Sequence, residues 1–126
     1  MTSSTRQQQA VEFRKSFQVK NSITPASRTL QRRLIVEEFK EFLEAEQQLI
    51  MGLTINSAEC LKELADLVYV CYQYAANLGW DLDTALDRVH ESNMSKLDDN
   101  GNPIYREDGK VLKGPNYQPP NLTDLV

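Results

Sequence analysis

The sequence predicts an all-α protein, a bundle of about four helices that ends in a short, turn-rich tail. Apolar residues recur at helical spacing in four segments, and Pro and Gly stand at the ends of these segments. Two acidic clusters, at 37–41 and 63–66, fall on two of the predicted helices. A length of 126 residues suits one domain with a modest core, so we expect a single domain over 1–126 with its tail at 98–126.

The first two helices are predicted over 5–18 and 24–51. Thr24 is a favourable N-cap, because its hydroxyl can accept a hydrogen bond from the first turn, and Pro25 suits the first helical position. Gly52 can adopt the left-handed conformation that ends helices. These local signals predict a long second helix with defined ends.

The third helix is predicted to run from Asn56 to Leu78. Asn56 and Glu59 form a capping-box pattern at its start, and Gly79 follows its end. Its segment 64–72 is apolar on nearly all sides, which is typical of a helix at the centre of a bundle or a dimer.

The fourth helix is predicted to start near Asp81 or Asp83 and to reach about Leu97. Beyond it, Asn100-Gly101 and Asp108-Gly109 are turn signals of the hairpin type, and apolar pairs flank the second one. We therefore expect a small hairpin around 104–112, followed by an extended tail that lies over the body or a partner.

Charge and cysteine spacing limit the cellular setting and the partners. The segment 37–66 carries eight acidic residues and two lysines, a local charge of −6 within a net charge of −4. Such a chain is unsuited to binding nucleic acid through bulk charge. No apolar run could span a bilayer, the first residues lack the apolar region of a signal peptide, and Cys60 and Cys71 lie about 16 Å apart along one helix. We expect a cytoplasmic protein with free thiols and no membrane partner.

Glu38 and Glu41 lie within the apolar stripe of the second helix. At about 100° per residue, both fall between Leu30 and Leu49 on the helical wheel, and Glu37 lies at the edge of the stripe. Burying an unpaired carboxylate costs several kcal/mol or forces it to bind a proton. The pattern therefore favours a cation at this face over a solvated surface, which remains the alternative for any Glu-rich helix.

Glu63 and Asp66 supply the matching cluster on the third helix, one turn apart and within an apolar run. The short connection 52–57 favours antiparallel packing of the second and third helices, which would bring the two clusters together. Because Mg²⁺ takes oxygen ligands, usually carboxylates, water and phosphates, we expect two or three Mg²⁺ ions there, with Mn²⁺ able to substitute.

This pattern resembles the all-α nucleoside triphosphate pyrophosphohydrolase superfamily, whose signature is Glu-Glu-x-x-Glu followed by Glu-x-x-Asp. Within it, the segments 89–97 and 108–113 are similar to those of small bacterial and phage MazG-like proteins. The resemblance covers roughly 28–115. It implies a Mg²⁺-dependent enzyme that converts a nucleoside triphosphate, in particular a deoxynucleotide, to the monophosphate and pyrophosphate, and that forms homodimers or homotetramers.

The resemblance also implies roles for individual residues. Glu37 and Glu38 would be the catalytic carboxylates, either of which could accept the proton of the attacking water. Asn93 and Lys96 match positions that contact nucleotide sugar or phosphate, and they continue the apolar stripe of the fourth helix, so neither is expected to face solvent. The metal ligands implied are Glu38, Glu41, Glu63 and Asp66.

The remaining substrate contacts are open to a second interpretation. Phe17 could stack on a base, although aromatic residues at helical spacing are usually core. Lys110 and Lys113 could fold over phosphate, or they could belong to a solvated turn. Asn93 could instead be a buried amide that caps neighbouring backbone.

Two further functions stay under consideration, and a third is disfavoured. In phosphoribosyl-ATP pyrophosphatases, a His usually follows the Tyr of the third helix, whereas Tyr69 is followed here by Val70, which counts against a role in the histidine pathway. A specificity like that of the dimeric dUTPases is possible within the same chemistry. A non-catalytic helical oligomer that binds metal or nucleotide is the alternative from another class.

Overall fold

The computed structural model describes residues 4–53 and 56–126, and it is all-α as the sequence predicts. The helices are α1 Arg6–Ser16, α2 Pro25–Ile50, α3 Ser57–Leu78 and α4 Leu82–Met94, with a 3₁₀ turn at Thr123–Leu125. No strand forms among the described residues, and the predicted hairpin is reduced to one antiparallel bridge between Tyr105 and Val111. The chain divides into two compact units, one ending at Trp80 and the other starting at Asp81.

Side chains just upstream of α2 and α3 fix where these helices begin. Thr24 Oγ1 accepts a hydrogen bond from the backbone of Ser27 at 3.2 Å, and Pro25 occupies the first helical position. Asn56 Oδ1 accepts one from the backbone of Glu59 at 2.9 Å, which is half of the predicted capping box. Both caps satisfy amide groups that have no partner within the helix.

Glycines follow the ends of α2 and α3, as predicted. Gly52 and Gly79 have φ angles of 70° and 74°, a left-handed conformation that costs a residue with a Cβ more than it costs glycine. The first helix is shorter than predicted. It ends at Ser16, and Gln18 already has a φ of 56°.

The predicted end of α4 at Leu97 is wrong, because the helix stops at Met94. Ser95 Oγ donates to the carbonyl oxygen of Ser92 at 2.6 Å, and the backbone of Lys96 donates to a carbonyl three residues back. A serine hydroxyl that binds nearby carbonyls competes with the helical pattern, and the chain continues as tight turns.

The first unit is built on the antiparallel pair α2 and α3, as the short connection between them predicts. Asn77, near the end of α3, donates to Ser27 Oγ at the start of α2 at 3.1 Å. At the opposite end of the pair, Cys60 Sγ donates to Glu46 Oε2 at 3.6 Å. α1 packs against α3, with the Phe13 ring 5.6 Å from that of Tyr69.

A buried arginine joins α1 to α3 and to the chain before α2. Arg14 is 4% exposed, and burial lowers its pKa. Its guanidinium donates to Asn21 Oδ1 at 2.6 Å, Gln73 Oε1 at 3.2 Å and Asn77 Oδ1 at 2.9 Å. Asn77 Oδ1 also accepts from the backbone of Ser22 at 3.0 Å. These acceptors are neutral amide oxygens, so no carboxylate among them balances the charge of Arg14. We refer to Arg14, Asn21, Gln73 and Asn77 as the polar centre.

In the second unit the tail folds back along α4. The backbone of Gly114 donates to the carbonyl oxygen of Lys96 at 2.9 Å, and a Cβ on Gly114 would lie 2.5 Å from that oxygen, so the contact requires glycine. Arg88 donates to both carboxylate oxygens of Asp124 and to the carbonyl of Asn121. The tail is thereby tied to α4 by one bidentate ion pair and one backbone contact.

Two expectations about the cellular setting can be compared with the structure. Cys60 and Cys71 are free thiols, as their spacing predicts. Across residues 4–53 and 56–126, no helix combines the length and the apolar character that crossing a bilayer requires.

We predict that Asn77→Ala destabilises the protein by roughly 3 kcal/mol. The substitution removes one acceptor of the buried Arg14 guanidinium and the side-chain acceptor of the Ser22 amide, and each such loss costs about 1–3 kcal/mol. Urea unfolding followed by circular dichroism measures the change. Gln47→Ala on the exposed face of α2 is the control and should stay within about 0.5 kcal/mol of the wild type. An Asn77→Ala protein as stable as this control would contradict the role of the polar centre.

Candidate metal and active site

Three carboxylates from α2 and α3 converge in the first unit. Glu38, Glu41 and Glu63 each offer one oxygen atom, and these atoms all lie within 4.8 Å of one another. Glu38 and Glu41 are one turn apart on α2, where residues at this spacing are neighbours, and the antiparallel pairing places Glu63 of α3 beside them. We refer to these three residues as the carboxylate cluster.

The cluster is open to solvent on one side. Glu38 and Glu63 are half-buried, but Glu41 is exposed. The prediction that both glutamates of α2 point inward is therefore wrong for Glu41. Glu41 lies at the open edge of the cluster, where its carboxylate oxygen approaches those of Glu38 and Glu63 while the residue stays exposed to solvent.

Two oxygen atoms of the cluster are buried without a partner. Glu38 Oε2 and Glu63 Oε2 are shielded from solvent and accept no hydrogen bond from any residue that the structure describes. A buried acceptor without a donor is costly, and such groups are usually satisfied by a ligand, an ion or water. Carboxylate oxygens are the donor type that Mg²⁺ and Mn²⁺ prefer, so these residues fit a hard divalent cation.

The raised pKa of Glu38 also favours a cation at the cluster. Partial burial raises the pKa of this carboxyl above its ordinary value of 4.5, and a hydrogen bond with Glu41 and the charges of Glu41, Asp66 and Glu63 raise it further. Negative groups held this close disfavour one another's charged forms. A bound cation would reverse the effect and favour the ionised state.

Asp66 lies near the cluster without joining its three converging oxygens. Its charge contributes to the raised pKa of Glu38, yet its carboxylate accepts from Lys62 Nζ at 2.8 Å. The same ammonium group is 3.5 Å from Glu63 Oε1. Lys62 therefore balances part of the negative charge at the edge of the site, and the hydrogen bond to Asp66 raises its pKa.

Glu37 occupies a different position from Glu38. It is exposed and lies outside the group of converging oxygens. Its place on the helix next to Glu38 keeps it on the solvent side of the site, where water is accessible.

Phe17 follows the end of α1 in the first unit and is 68% exposed. Its ring centroid lies 4.6 Å from that of Phe13. Both line an open cleft of about 300 Å³ together with Tyr69. An exposed aromatic ring of this kind provides a surface on which a flat ligand could stack.

The other substrate-binding candidates belong to the second unit. Asn93 is exposed, so the prediction that it faces away from solvent is wrong, because Leu86 on the same stripe of α4 is itself half exposed. Lys96 is half-buried. Lys110 is exposed beside the turn at Asp108, and Lys113 places its ammonium group 4.7 Å from the ring centre of Tyr117.

Two residues of the first unit were not identified from the sequence. Lys62 could have been found, since it stands four residues before Asp66 on α3 and this spacing favours an ion pair. Gln31, 6% exposed on α2, has a buried carbonyl oxygen without a partner among the described residues. No local pattern distinguishes it from the other glutamines of the chain.

Comparison with known proteins gives one result. A model of the phosphoribosyl-ATP pyrophosphohydrolase family matches residues 6–93. This range is more than half of the chain and contains the carboxylate cluster, Lys62 and Asp66. A search of individual curated proteins finds no match.

We predict that Glu38→Gln raises the thermal midpoint of the metal-free protein by several degrees at pH 7. The amide removes a charge that burial and the neighbouring acids disfavour. Because the folded-state pKa of Glu38 is raised, the contribution of this residue to stability is most favourable below the ordinary value of 4.5 and becomes unfavourable as the pH rises through the raised value. The gain from Glu38→Gln should therefore grow over this range.

The measurement is differential scanning fluorimetry in EDTA from pH 4 to pH 8. Glu44→Gln, an exposed position of the same helix, is the matched control and should show no such pH-dependent gain. Equal melting curves for Glu38→Gln and the wild type across this range would show that the cluster carries no repulsive strain.

Proposed function

Since the chain belongs to the phosphoribosyl-ATP pyrophosphohydrolase family, we propose that it is a Mg²⁺-dependent enzyme that converts a nucleoside triphosphate, in particular a deoxynucleotide, to the monophosphate and pyrophosphate. The family is part of the MazG-like all-α superfamily, and the chain is a nucleotide pyrophosphohydrolase that acts on a phosphoanhydride bond. The observation that carries the proposal is the convergence of Glu38, Glu41 and Glu63 with two buried oxygens lacking a partner.

The carboxylate cluster and Asp66 would hold the metal. Bound Mg²⁺ neutralises triphosphate charge and lowers the pKa of a coordinated water. Lys62 donates to Asp66 Oδ2, so Asp66 would act as a fourth ligand through Oδ1 while the Lys62 ammonium group stays at the edge of the site, near Glu63. An ammonium group there favours the phosphate oxygens on which charge develops.

The reaction needs a group that accepts a proton from water as the new phosphorus–oxygen bond forms and pyrophosphate leaves. Glu37 suits this role, because it is exposed and adjacent on the helix to a metal-binding glutamate. Glu38 is the second candidate, since its half-buried carboxylate belongs to the carboxylate cluster itself. Asn93, Lys96, Lys110 and Lys113 remain proposed contacts to sugar and phosphate, and Phe17 a proposed contact to the base.

Phosphoribosyl-ATP, named by the matching family, is the second candidate substrate. It shares the adenine nucleotide phosphoanhydride chemistry that the carboxylate cluster supports. The absence of His after Tyr69 favours the simpler nucleotides. A dUTPase-like preference falls within the same proposal and is decided by the same assay.

We predict release of pyrophosphate from at least one common nucleotide with Mg²⁺ and none in EDTA. The assay compares the eight common ribo- and deoxynucleoside triphosphates with phosphoribosyl-ATP. Asp66→Asn and Glu63→Gln should each lower kcat/KM by about 100-fold or more, because each removes a proposed ligand. Glu44→Gln should retain wild-type turnover. A protein that binds nucleotide and Mg²⁺ but hydrolyses none of these compounds would be the non-catalytic oligomer instead.

We also propose that the protein is a homo-oligomer, dimeric or tetrameric, through an apolar stripe of α3. Leu61, Leu64 and Val68 stand at helical spacing and are 65%, 40% and 46% exposed. Val36, Phe39 and Leu43 form a similar exposed stripe on α2. Large apolar side chains exposed at helical spacing favour an interface.

Val68→Glu is expected to shift the protein to the monomer, because it places a charge in the middle of the stripe. Size-exclusion chromatography with light scattering measures the mass. Ile23→Glu, exposed in the loop before α2, is the control and should leave the mass unchanged. A wild-type protein that is monomeric at micromolar concentration would rule out this interface.

A further inference from the structure

Gln31 is a buried amide on the helix that carries the carboxylate cluster. It is 6% exposed, and its carbonyl oxygen Oε1 accepts no hydrogen bond from any residue in the described ranges. Glutamine is seldom buried in this way, since a polar group taken from water without a hydrogen bond destabilises the fold.

The first unit contains other buried amides, and they differ from Gln31. Gln73 accepts from Arg14 and donates to the carbonyl oxygen of Ala10. Asn77 accepts and donates several hydrogen bonds within the polar centre. Gln73 and Asn77 therefore have hydrogen-bond partners that connect elements of the unit, whereas the carbonyl oxygen of Gln31 has none among the described residues.

Its position relates it to the carboxylate cluster. Gln31 lies two helical turns before Glu38, on the same face of α2 and about 10 Å away along the helix axis. Among the described residues, the side chains with a buried, unpartnered oxygen are Gln31, Glu38 and Glu63, and all three belong to the antiparallel pair α2 and α3. A cation at the cluster would satisfy the two glutamates but would be too far away to reach Gln31.

We propose that Gln31 is a specificity-determining residue that reads the base of the nucleotide substrate, an inference that rests on the proposed function. A nucleoside triphosphate held by its phosphates at the carboxylate cluster extends its sugar and base away from the metal over a length comparable to the two turns that separate Glu38 from Gln31. Toward the start of α2, that extension follows the face on which Gln31 lies.

The chemistry of the amide defines what it would recognise. Oε1 requires a hydrogen-bond donor, and the adjacent NH₂ group requires an acceptor. The edge of a nucleobase presents such a neighbouring donor and acceptor, and bidentate contacts of this type from Gln or Asn discriminate between bases. Inorganic pyrophosphate and the phosphate chain offer acceptors only, so Oε1 would not distinguish them. A wrong base would leave the buried carbonyl unpaired, which is the source of the selectivity.

The test uses Gln31→Met, which keeps the length of the side chain and removes both polar atoms. Turnover of the eight nucleoside triphosphates with Mg²⁺ is measured for the wild type and the variant. We expect the wild type to prefer some bases, and the ratio of kcat/KM between the best and the worst base to fall roughly tenfold or more in the variant. Turnover of the poorest substrates should change little.

A binding measurement separates recognition from catalysis. Isothermal titration calorimetry of the preferred nucleoside monophosphate in EDTA should show an affinity roughly tenfold weaker for Gln31→Met, whereas pyrophosphate with Mg²⁺ should bind both proteins equally. The metal-free variant should also melt at a higher temperature than the wild type, because an unpaired buried carbonyl has been removed. Gln48→Met, exposed on the same helix, is the matched control and should match the wild type in all three measurements.

The outcomes distinguish this inference from the proposed function. A Gln31→Met enzyme that keeps the wild-type base ranking and monophosphate affinity would overturn the role of Gln31 and leave the hydrolase intact, with solvent as the partner of the buried carbonyl. A wild type that hydrolyses all eight nucleotides equally would overturn it too. A wild type with no turnover in Mg²⁺ would defeat the proposed function itself. If Gln31→Met does not fold, Gln31→Leu serves for the same measurements.

Discussion

Repulsion among the carboxylates of α2 and α3 is the constraint on which the rest of this structure depends. Glu38, Glu41 and Glu63 bring oxygens within 4.8 Å of one another, and Asp66 adds its charge nearby. Lys62 offsets part of this charge from the edge of the site. A protein without a use for such a group would gain stability by dispersing it, which supports the proposed function with a divalent cation bound at the cluster.

Hydrogen bonds at the start of α2 and the end of α3 stabilise the helix pair at a distance from the acidic region. The buried Arg14 guanidinium and the amide of Asn77 link α1, the chain before α2, and the last turns of α3 through hydrogen bonds to neutral acceptors. These contacts hold the start of α2 against the end of α3, about three to four helical turns from the carboxylates of the cluster. The polar centre can therefore keep the pair in register while the acidic region stays open to a ligand, a division between support and function that is common in sites placed on rigid elements.

The buried oxygen atoms without partners lie at two different places along the pair α2 and α3. Two of them belong to Glu38 and Glu63 at the cluster, and the third belongs to Gln31 toward the start of α2. The metal site proposed for this member of the phosphoribosyl-ATP pyrophosphohydrolase family accounts for the first two. The third requires a hydrogen-bond donor that no phosphate group offers, and the proposal for Gln31 follows from this difference.

The sequence by itself determined the helical class, the starts of α2 and α3 at Thr24 and Asn56, and the two acidic motifs, because capping and helical spacing depend on residues close together in the chain. It also favoured the antiparallel pairing, since the connection between these helices is short. Only the tertiary structure decided that Glu41 is exposed, that α4 stops at Met94, and that the carbonyl oxygen of Gln31 is buried without a partner among the described residues. Exposure and pairing depend on which distant residues cover a side chain, and a helical wheel does not contain that information.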